Sequence, residues 1–384
     1  MADEVSTPAR TGSTRPRARD LGVPFDGTPG ALNAITDVPG VEIGATTLIR
    51  GDGPLRVGEG PVRTGVTAIL PRGRDGVGRA CSAAWYSLNG NGEMTGTTWI
   101  EESGALTMPV LITNTHSVGA CHSGAMDWIV AHHPAVARQW MLPVVAETWD
   151  GYLNDINGGH VTPEHARAAL EAAAGGPVAE GATGGGTGMT CYGFKGGSGT
   201  ASRRVVFADD VHTVAVFVQA NFGDRRHLTI AGRPAGRLLA VENPEEDEDW
   251  FVPTGAGSVI AIVATDAPLL PGQCKALARR VPLGLARTGT TGSHFSGDIF
   301  LAFSTANDDA LTSRLGTAEA RAYANLRFIP WGLIDPYYEA VVQGTEEAVI
   351  NALVGAETMV GIDGHRSPAL PHDEVVALLS DSVV

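Results

Sequence analysis

The chain has 384 residues, 43% hydrophobic and 18% charged, with a mean hydropathy near zero, enough apolar material for one large α/β domain or two smaller ones. Its formal net charge of −15 argues against nucleic acid or an anionic membrane as the main partner, because both need clustered cations. No apolar run reaches the ~18 residues that span a bilayer, and the fifty glycines fall in clusters without a collagen-like period.

Met1–Arg19 is polar, carries four arginines and lacks an apolar centre, so it is expected to be a loose arm and not a secretory signal. Cys81, Cys121, Cys191 and Cys274 lie far apart with no CxxC or Cys/His metal spacing. They read as reduced, mostly buried thiols of a cytoplasmic protein. In chain order, Asp37–Gly44 predicts a short strand behind a Pro-Gly turn, and Thr64–Pro71 and Ala80–Leu88 two more. Asn89–Gly96 is a polar Gly/Asn loop. Pro109–Thr113 is the next strand, followed by a helix over Ala120–Ala131 and a strand over Val144–Glu147. Thr162 caps a helix that opens on Pro163 and runs to about Ala174. Gly175–Gly188 is a glycine-rich loop, Lys195–Arg204 is rich in Gly and Ser, and Thr213–Asn221 is a strand.

The run Glu242–Asp249 is acidic and expected to be flexible. It leads into Thr254-Gly255-Ala256-Gly257-Ser258 and then Val259–Ala264, an apolar β-branched run that reads as a buried strand. Beyond it come Pro271 with a basic amphipathic helix through Arg280, a Gly/Thr/Ser loop over Thr288–Ser296, a strand over Ile299–Ser304, and a helix over Asp335–Val354. Strands cluster on both sides of Ser258 with helices between them, which fits a pair of mixed sheets covered by helices.

Two readings of Gly257-Ser258 follow from the residues. One is a surface loop entering a core strand. The other is a cleavage point: a cut there would leave Ser258 with a hydroxyl and a free α-amine on one rigid residue, nucleophile beside base. Other chemistries find less support. Gly181–Gly188 lacks the GK[ST] of a phosphate loop, and no GxSxG elbow is present. His116, His122, His132 and His133 cluster in sequence, but His132 and His133 point to different helix faces, so they read as solvated or capping residues. No metal or organic cofactor is implied.

Several segments carry a resemblance. They are Leu32–Val41, Glu147-Thr148-Trp149-Asp150-Gly151, Gly186-Thr187-Gly188-Met189, Phe194-Lys195-Gly196-Gly197, Gln219–Gly223, Leu285–Gly289 and Ser296–Asn307. Together they resemble the L-aminopeptidase/D-esterases and β-peptidyl aminopeptidases, a family of self-processing serine hydrolases. The resemblance implies a four-layer αββα sandwich, like N-terminal-nucleophile hydrolases but differently connected, over residues 20–384 as a single domain. It implies self-cleavage between Gly257 and Ser258 into chains 1–257 and 258–384, assembled as a homotetramer.

Residue by residue, the resemblance makes Ser258 both the cleavage residue and the nucleophile. Ser296 and Asp298 match the serine and acid that tune its amine and hydroxyl, and Asn221 matches the oxyanion-hole asparagine. Glu147 matches the acid that grips the substrate ammonium. Trp149 stands where the family often has tyrosine, which removes a phenolic hydroxyl, and Phe295 places a bulky ring beside Ser296. The implied activity is release of N-terminal amino acids, α or β, L or D, from small peptides, amides or esters. Two rivals stay open: an endo-amidase of the nylon-oligomer-hydrolase kind, which uses threonine as nucleophile, and a non-catalytic relative serving as a binding module.

Overall fold

The computed structural model describes residues 15–247, 250, 253, 255–308, 310–313 and 323–380. Its strands are β1 (Glu42–Arg50), β2 (Val62–Leu70), β3 (Cys81–Ser87), β4 (Ala105–Leu106), β5 (Val110–Asn114) and β6 (Val144–Thr148). The short β7 (Thr190–Cys191) and β8 (Phe194–Lys195) precede β9 (Gly197–Phe207), β10 (Asp210–Asn221), β11 (Gly257–Thr265) and β12 (Ser296–Ser304), and the short β13 (Met359–Val360) and β14 (Arg366–Ser367) close the series. The helices are α1 (Thr97–Ser103), α2 (Val118–His132), α3 (Pro163–Glu171), α4 (Ala235–Leu238), α5 (Pro271–Ala278), α6 (Val281–Arg287), α7 (Asp335–Val354) and α8 (His372–Ser380).

Two mixed sheets face each other. One has the order β1-β2-β5-β6 and the other β4-β3-β12-β11-β10-β9. Side-chain alternation along β11 shows how the layers form. Ile260, Ile262 and Ala264 join Ile69, Ile112 and Ala146 of the first sheet in the core between the sheets. Val259, Ala261 and Val263 face the other way, onto Leu277, Val341 and Val349 of α5 and α7. A third core packs Val66, Leu111 and Val145 of the first sheet against Trp128 and Ile129 of α2 and Leu170 of α3. The result is helix, sheet, sheet, helix: the αββα sandwich. Because β11 is buried on both faces, its sequence is a continuous apolar run instead of an alternating one.

Several segments depart from the local expectation. Lys195–Arg204, read only as rich in Gly and Ser, forms most of β9. Gly199 explains why: a Cβ there would stand 2.0 Å from the Ala348 carbonyl oxygen of α7, so close helix–strand packing demands glycine where strand propensity would not. The helix opened by Pro163 ends at Glu171, three residues early, and the His165 ring accepts from the Thr162 N–H at 3.1 Å at its start. A second helix, α6, follows the one read to Arg280, and α1 emerges from the end of the Asn/Gly loop.

The expected loose arm lies mostly outside the described residues, but its end is pinned. Arg17 pairs with Glu180 and Arg19 with Glu347, while Ala18 is buried. The acidic run is pinned too over its described part: the Arg225 N–H donates to Glu245 at 3.1 Å, and Tyr152 donates its phenol proton to Asp247 at 2.5 Å. All four cysteines are free and buried, and burial pushes the Cys81 thiol up to about 11 and the Cys121 and Cys191 thiols to about 12. Among the described residues no helix is long and apolar enough to cross a membrane.

Candidate active site

A cavity of about 470 Å³ opens where the ends of β6, β10 and β11 meet, and Ser258, Asn221, Glu147 and Trp149 all line it. β11 lies between β10 and β12, antiparallel to the first and parallel to the second. Asn221 is the direct partner of Ser258, so the two side chains share a face, the one that looks between the sheets. Glu147 comes from the end of β6 in the opposite sheet. The cavity is therefore a tertiary product, closed only when the sheets stack.

Each side chain is held by a defined set of partners. The Asn221 carboxamide accepts from the Thr190 N–H at 2.9 Å and donates to the Trp149 carbonyl at 2.8 Å. A backbone donor on one side and an acceptor on the other set the amide's orientation and leave one Nδ2 proton for a further acceptor. Glu147 is buried; its Oε1 accepts from the Glu93 N–H at 2.9 Å and its Oε2 from the Thr115 hydroxyl. Burial pushes its carboxyl above the usual range, against the pull of those two donors. A cation arriving at Glu147 would reverse that rise.

Gly257 is needed at its position for a packing reason. A Cβ on it would stand 2.0 Å from the Asn221 carbonyl oxygen, so the residue before Ser258 can carry no side chain without moving β10. The Asn/Gly loop fits the same way: Cβ atoms on Gly92 and Gly297 would clash with one another's backbone, and Gly92 also sits 3.2 Å, at its Cβ position, from Glu147 Oε1.

Ser296 and Asp298 are placed differently from the cavity residues. Along β12, Ile299, Leu301 and Phe303 face between the sheets and Phe300 and Ala302 face the helices. By alternation Ser296 and Asp298 fall on the helix side, behind the strand from the Ser258 hydroxyl and flanking Gly297, the partner of Ser258. The Ser296 hydroxyl donates to Asp298 Oδ1 at 2.5 Å, and burial raises the Asp298 carboxyl. From this position the pair faces away from the Ser258 hydroxyl, and the Val259 N–H reaches Asp298. Phe295 is half-exposed and lines the cavity mouth.

Other residues of the site carry no signal in the sequence. Thr115 and the Glu93 N–H hold Glu147; Asn89 grips Asp298; Tyr152 and Trp250 add aromatic wall. Lys195 is fully buried and donates to the carbonyls of Met189 at 2.7 Å, Gly196 at 2.9 Å and Gly186 at 3.4 Å. It thereby ties down the loop whose Thr190 N–H orients Asn221, and burial lowers its amine to about 7. Among the described residues no group of three His, Cys, Asp or Glu is arranged to hold a metal ion.

The model of peptidase family S58 matches residues 33–367, most of the chain. The chain belongs to peptidase family S58. Its S58 relatives span it nearly end to end. The β-peptidyl aminopeptidase BapA of Sphingosinicella microcystinivorans is 50% identical, over 95% of this chain and 92% of its own. The β-peptidyl aminopeptidase BapA of Sphingosinicella xenopeptidilytica is 46% identical, over 98% and 94%. Among solved structures, the L-aminopeptidase D-Ala-esterase/amidase of Ochrobactrum anthropi, described as a new variant of the Ntn hydrolase fold, superposes with a TM-score of 0.88. It is 45% identical and matches 95% of this chain and 98% of that one. This S58 member therefore has the Ntn-hydrolase type of fold and is a serine peptidase, and the expectations of fold and family hold.

Proposed function

We propose that the protein cuts itself between Gly257 and Ser258 and then releases N-terminal β-amino acids from small peptides and amides. The observation that carries this is the single cavity shared by Ser258, Asn221 and Glu147. In processing, the Ser258 hydroxyl attacks the Gly257 carbonyl carbon, the acyl group passes from nitrogen to oxygen, and water hydrolyses the ester. The chains 1–257 and 258–384 result, and the Ser258 α-amine is freed.

In turnover that amine, with a reference pKa of ~7.7–8.0, takes the Ser258 Oγ proton as Oγ bonds to the substrate carbonyl carbon. The free Nδ2 proton of Asn221 meets the oxyanion, a contribution typically of ~3–4 kcal/mol. The ammonium formed on Ser258 returns its proton to the leaving amine, and an acyl-enzyme remains. Water, deprotonated by the same α-amine, then attacks the ester and frees the amino acid. Glu147 pairs with the substrate ammonium, which limits removal to one residue at a time. Ser296 and Asp298 hold the Ser258 amine from behind β12.

The β-aminoacyl preference is supported by the names of the two relatives at 50% and 46% identity. Trp149 keeps the main-chain role at its position, the carbonyl that anchors Asn221, and loses the phenol. A homotetramer of processed chain pairs is supported by the exposed Phe328, Trp331 and Leu333, and a cytoplasmic location by the four free cysteines.

The test is a β-aminoacyl p-nitroanilide beside its N-acetylated twin. Acetylation removes the cation and leaves buried Glu147 without a counter-ion, at a cost of ~3 kcal/mol or more, so the acetylated compound should be cut at least ~100-fold more slowly. Glu147→Gln should shrink that gap. Equal rates on both substrates would favour the endo-amidase, and an intact, inactive chain the binding module.

A further inference from the structure

Asn89 sits at the turn after β3, on the side of β12 away from the cavity, and four hydrogen bonds surround it. Its Nδ2 donates to Asp298 Oδ2 at 2.9 Å and to the Ser293 carbonyl at 3.0 Å. Its Oδ1 accepts from the Asp298 N–H at 2.6 Å, and its own carbonyl accepts from the Ser87 hydroxyl at 2.5 Å. The carboxamide thus clasps both the main chain and the side chain of one residue. A flipped amide would turn its oxygen onto a carboxylate and a carbonyl, so the orientation is fixed. With Oδ2 taken by Asn89, only Oδ1 of Asp298 is turned to Ser296.

We infer that Asn89 is a positioning residue for the catalytic amine: it holds Asp298 in the one rotamer from which that carboxylate can orient Ser296. This rests on the proposed role of Ser296 and Asp298. The chemistry calls for an amide at this position. A carboxylate would repel Asp298, and a hydroxyl could not reach its main chain and side chain together. Among the described residues the Tyr192 phenol also feels Asp298, and is itself held by Thr288 and the Thr290 N–H; after cleavage the Ser258 α-amine joins them. Burial raises the Asp298 carboxyl and hydrogen bonds from Ser296, Asn89 and the Val259 N–H oppose the rise, so loss of Asn89 weakens the ionised form as well as its placement.

A double-mutant cycle tests the inference, using kcat and KM on β-alanine p-nitroanilide for wild type, Asn89→Ala, Asp298→Asn and the double variant. Asn89→Ala should lower kcat about 30-fold with KM changed less than about threefold, as expected for an interaction felt in the transition state. In the Asp298→Asn background the same change should cost nothing further, because a residue acting through another adds nothing once that other is gone. Asn89→Asp, which keeps the acceptor for the Asp298 N–H, is the second variant and covers the case in which Asn89→Ala does not fold. Its added charge raises both Asp298 and the Ser258 amine, so the acid limb of kcat should move to higher pH. A wild-type kcat in folded Asn89→Ala, or an equal loss in both backgrounds, would overturn the inference. Wild-type kcat in Asp298→Asn would instead remove the role of Asp298 on which it stands.

Discussion

Gly257→Ala should slow self-cleavage about 100-fold and leave the sandwich folded. The Gly257 φ of 156° is one that residues with a Cβ rarely adopt, so alanine meets backbone strain there, and a steric clash adds to it. The added Cβ would lie 2.0 Å from the Asn221 carbonyl oxygen and 3.0 Å from its carbonyl carbon. Ordinary heavy-atom contact needs roughly 3.5 Å, so one backbone must give by more than about 1 Å. Neither is free to do so, because Asn221 is paired with Ser258 and its side chain is bonded to Thr190 and Trp149. A displacement of that size at a reacting centre costs about 100-fold in rate, or ~2.7 kcal/mol of barrier. The overpacking costs about 1–3 kcal/mol of stability, which a chain with three packed cores should survive. The assay follows freshly made chain by denaturing gel and intact mass. Gly255→Ala is the control: its φ is 80°, but the nearest atom to the new Cβ, the Asp224 Cβ, is 3.5 Å away. It should cost about 1 kcal/mol in stability and only a few-fold in processing. Cleavage of Gly257→Ala at the wild-type rate, or equal slowing by both substitutions, would refute the steric argument.

Ser258→Ala should give neither cut chains nor turnover, while Ser258→Cys should process slowly; a cut Ser258→Ala chain found by mass would displace the nucleophile. Ser296→Ala and Asp298→Asn should each lower kcat at least about 30-fold with little change in KM, whereas a rise in KM alone would make them binding residues. Since burial raises the Asp298 carboxyl, its ionised form is lost as pH falls through that raised value, and kcat should begin to drop above the ordinary aspartate range. Lys195→Met should take the amine donor from three buried carbonyls, of which those of Met189 and Gly186 keep a main-chain N–H, and cost about 1–3 kcal/mol in urea unfolding. With its folded pKa lowered to about 7 from 10.5, Lys195 binds fewer protons folded than unfolded in that window, so its contribution to stability rises with pH there. That rise should be missing from Lys195→Met, and an identical slope in both proteins would contradict it.

Local pattern carried much of the chain. The β-branched run after Ser258 became β11, the bounds Asp335–Val354 were met by α7, and the loop at Asn89–Gly96 appeared with a helix at its end. In each, the deciding forces act between near neighbours: backbone preference, periodic burial and the special conformations of glycine and proline. Gly257-Ser258 was visible too, but its residues alone left a plain loop and a cleavage point both open. The resemblance weighed between them where periodicity had no voice.

What only the tertiary structure decided involves partners distant in the chain. β9 reads poorly as a strand because Gly199 answers to the Ala348 carbonyl and not to its own neighbours. That Glu147 of one sheet and Asn221 and Ser258 of the other line a single cavity depends on the stacking of two sheets. That Ser296 and Asp298 stand behind β12, apart from the Ser258 hydroxyl, depends on register, since a shift by one residue would turn each side chain to the opposite face. Asn89 reads as a turn residue until the fold sets Asp298 against it. Spacing along the chain records which chemistries are present. Which face each one occupies, and what it meets there, is fixed by pairing between strands that the local sequence does not encode.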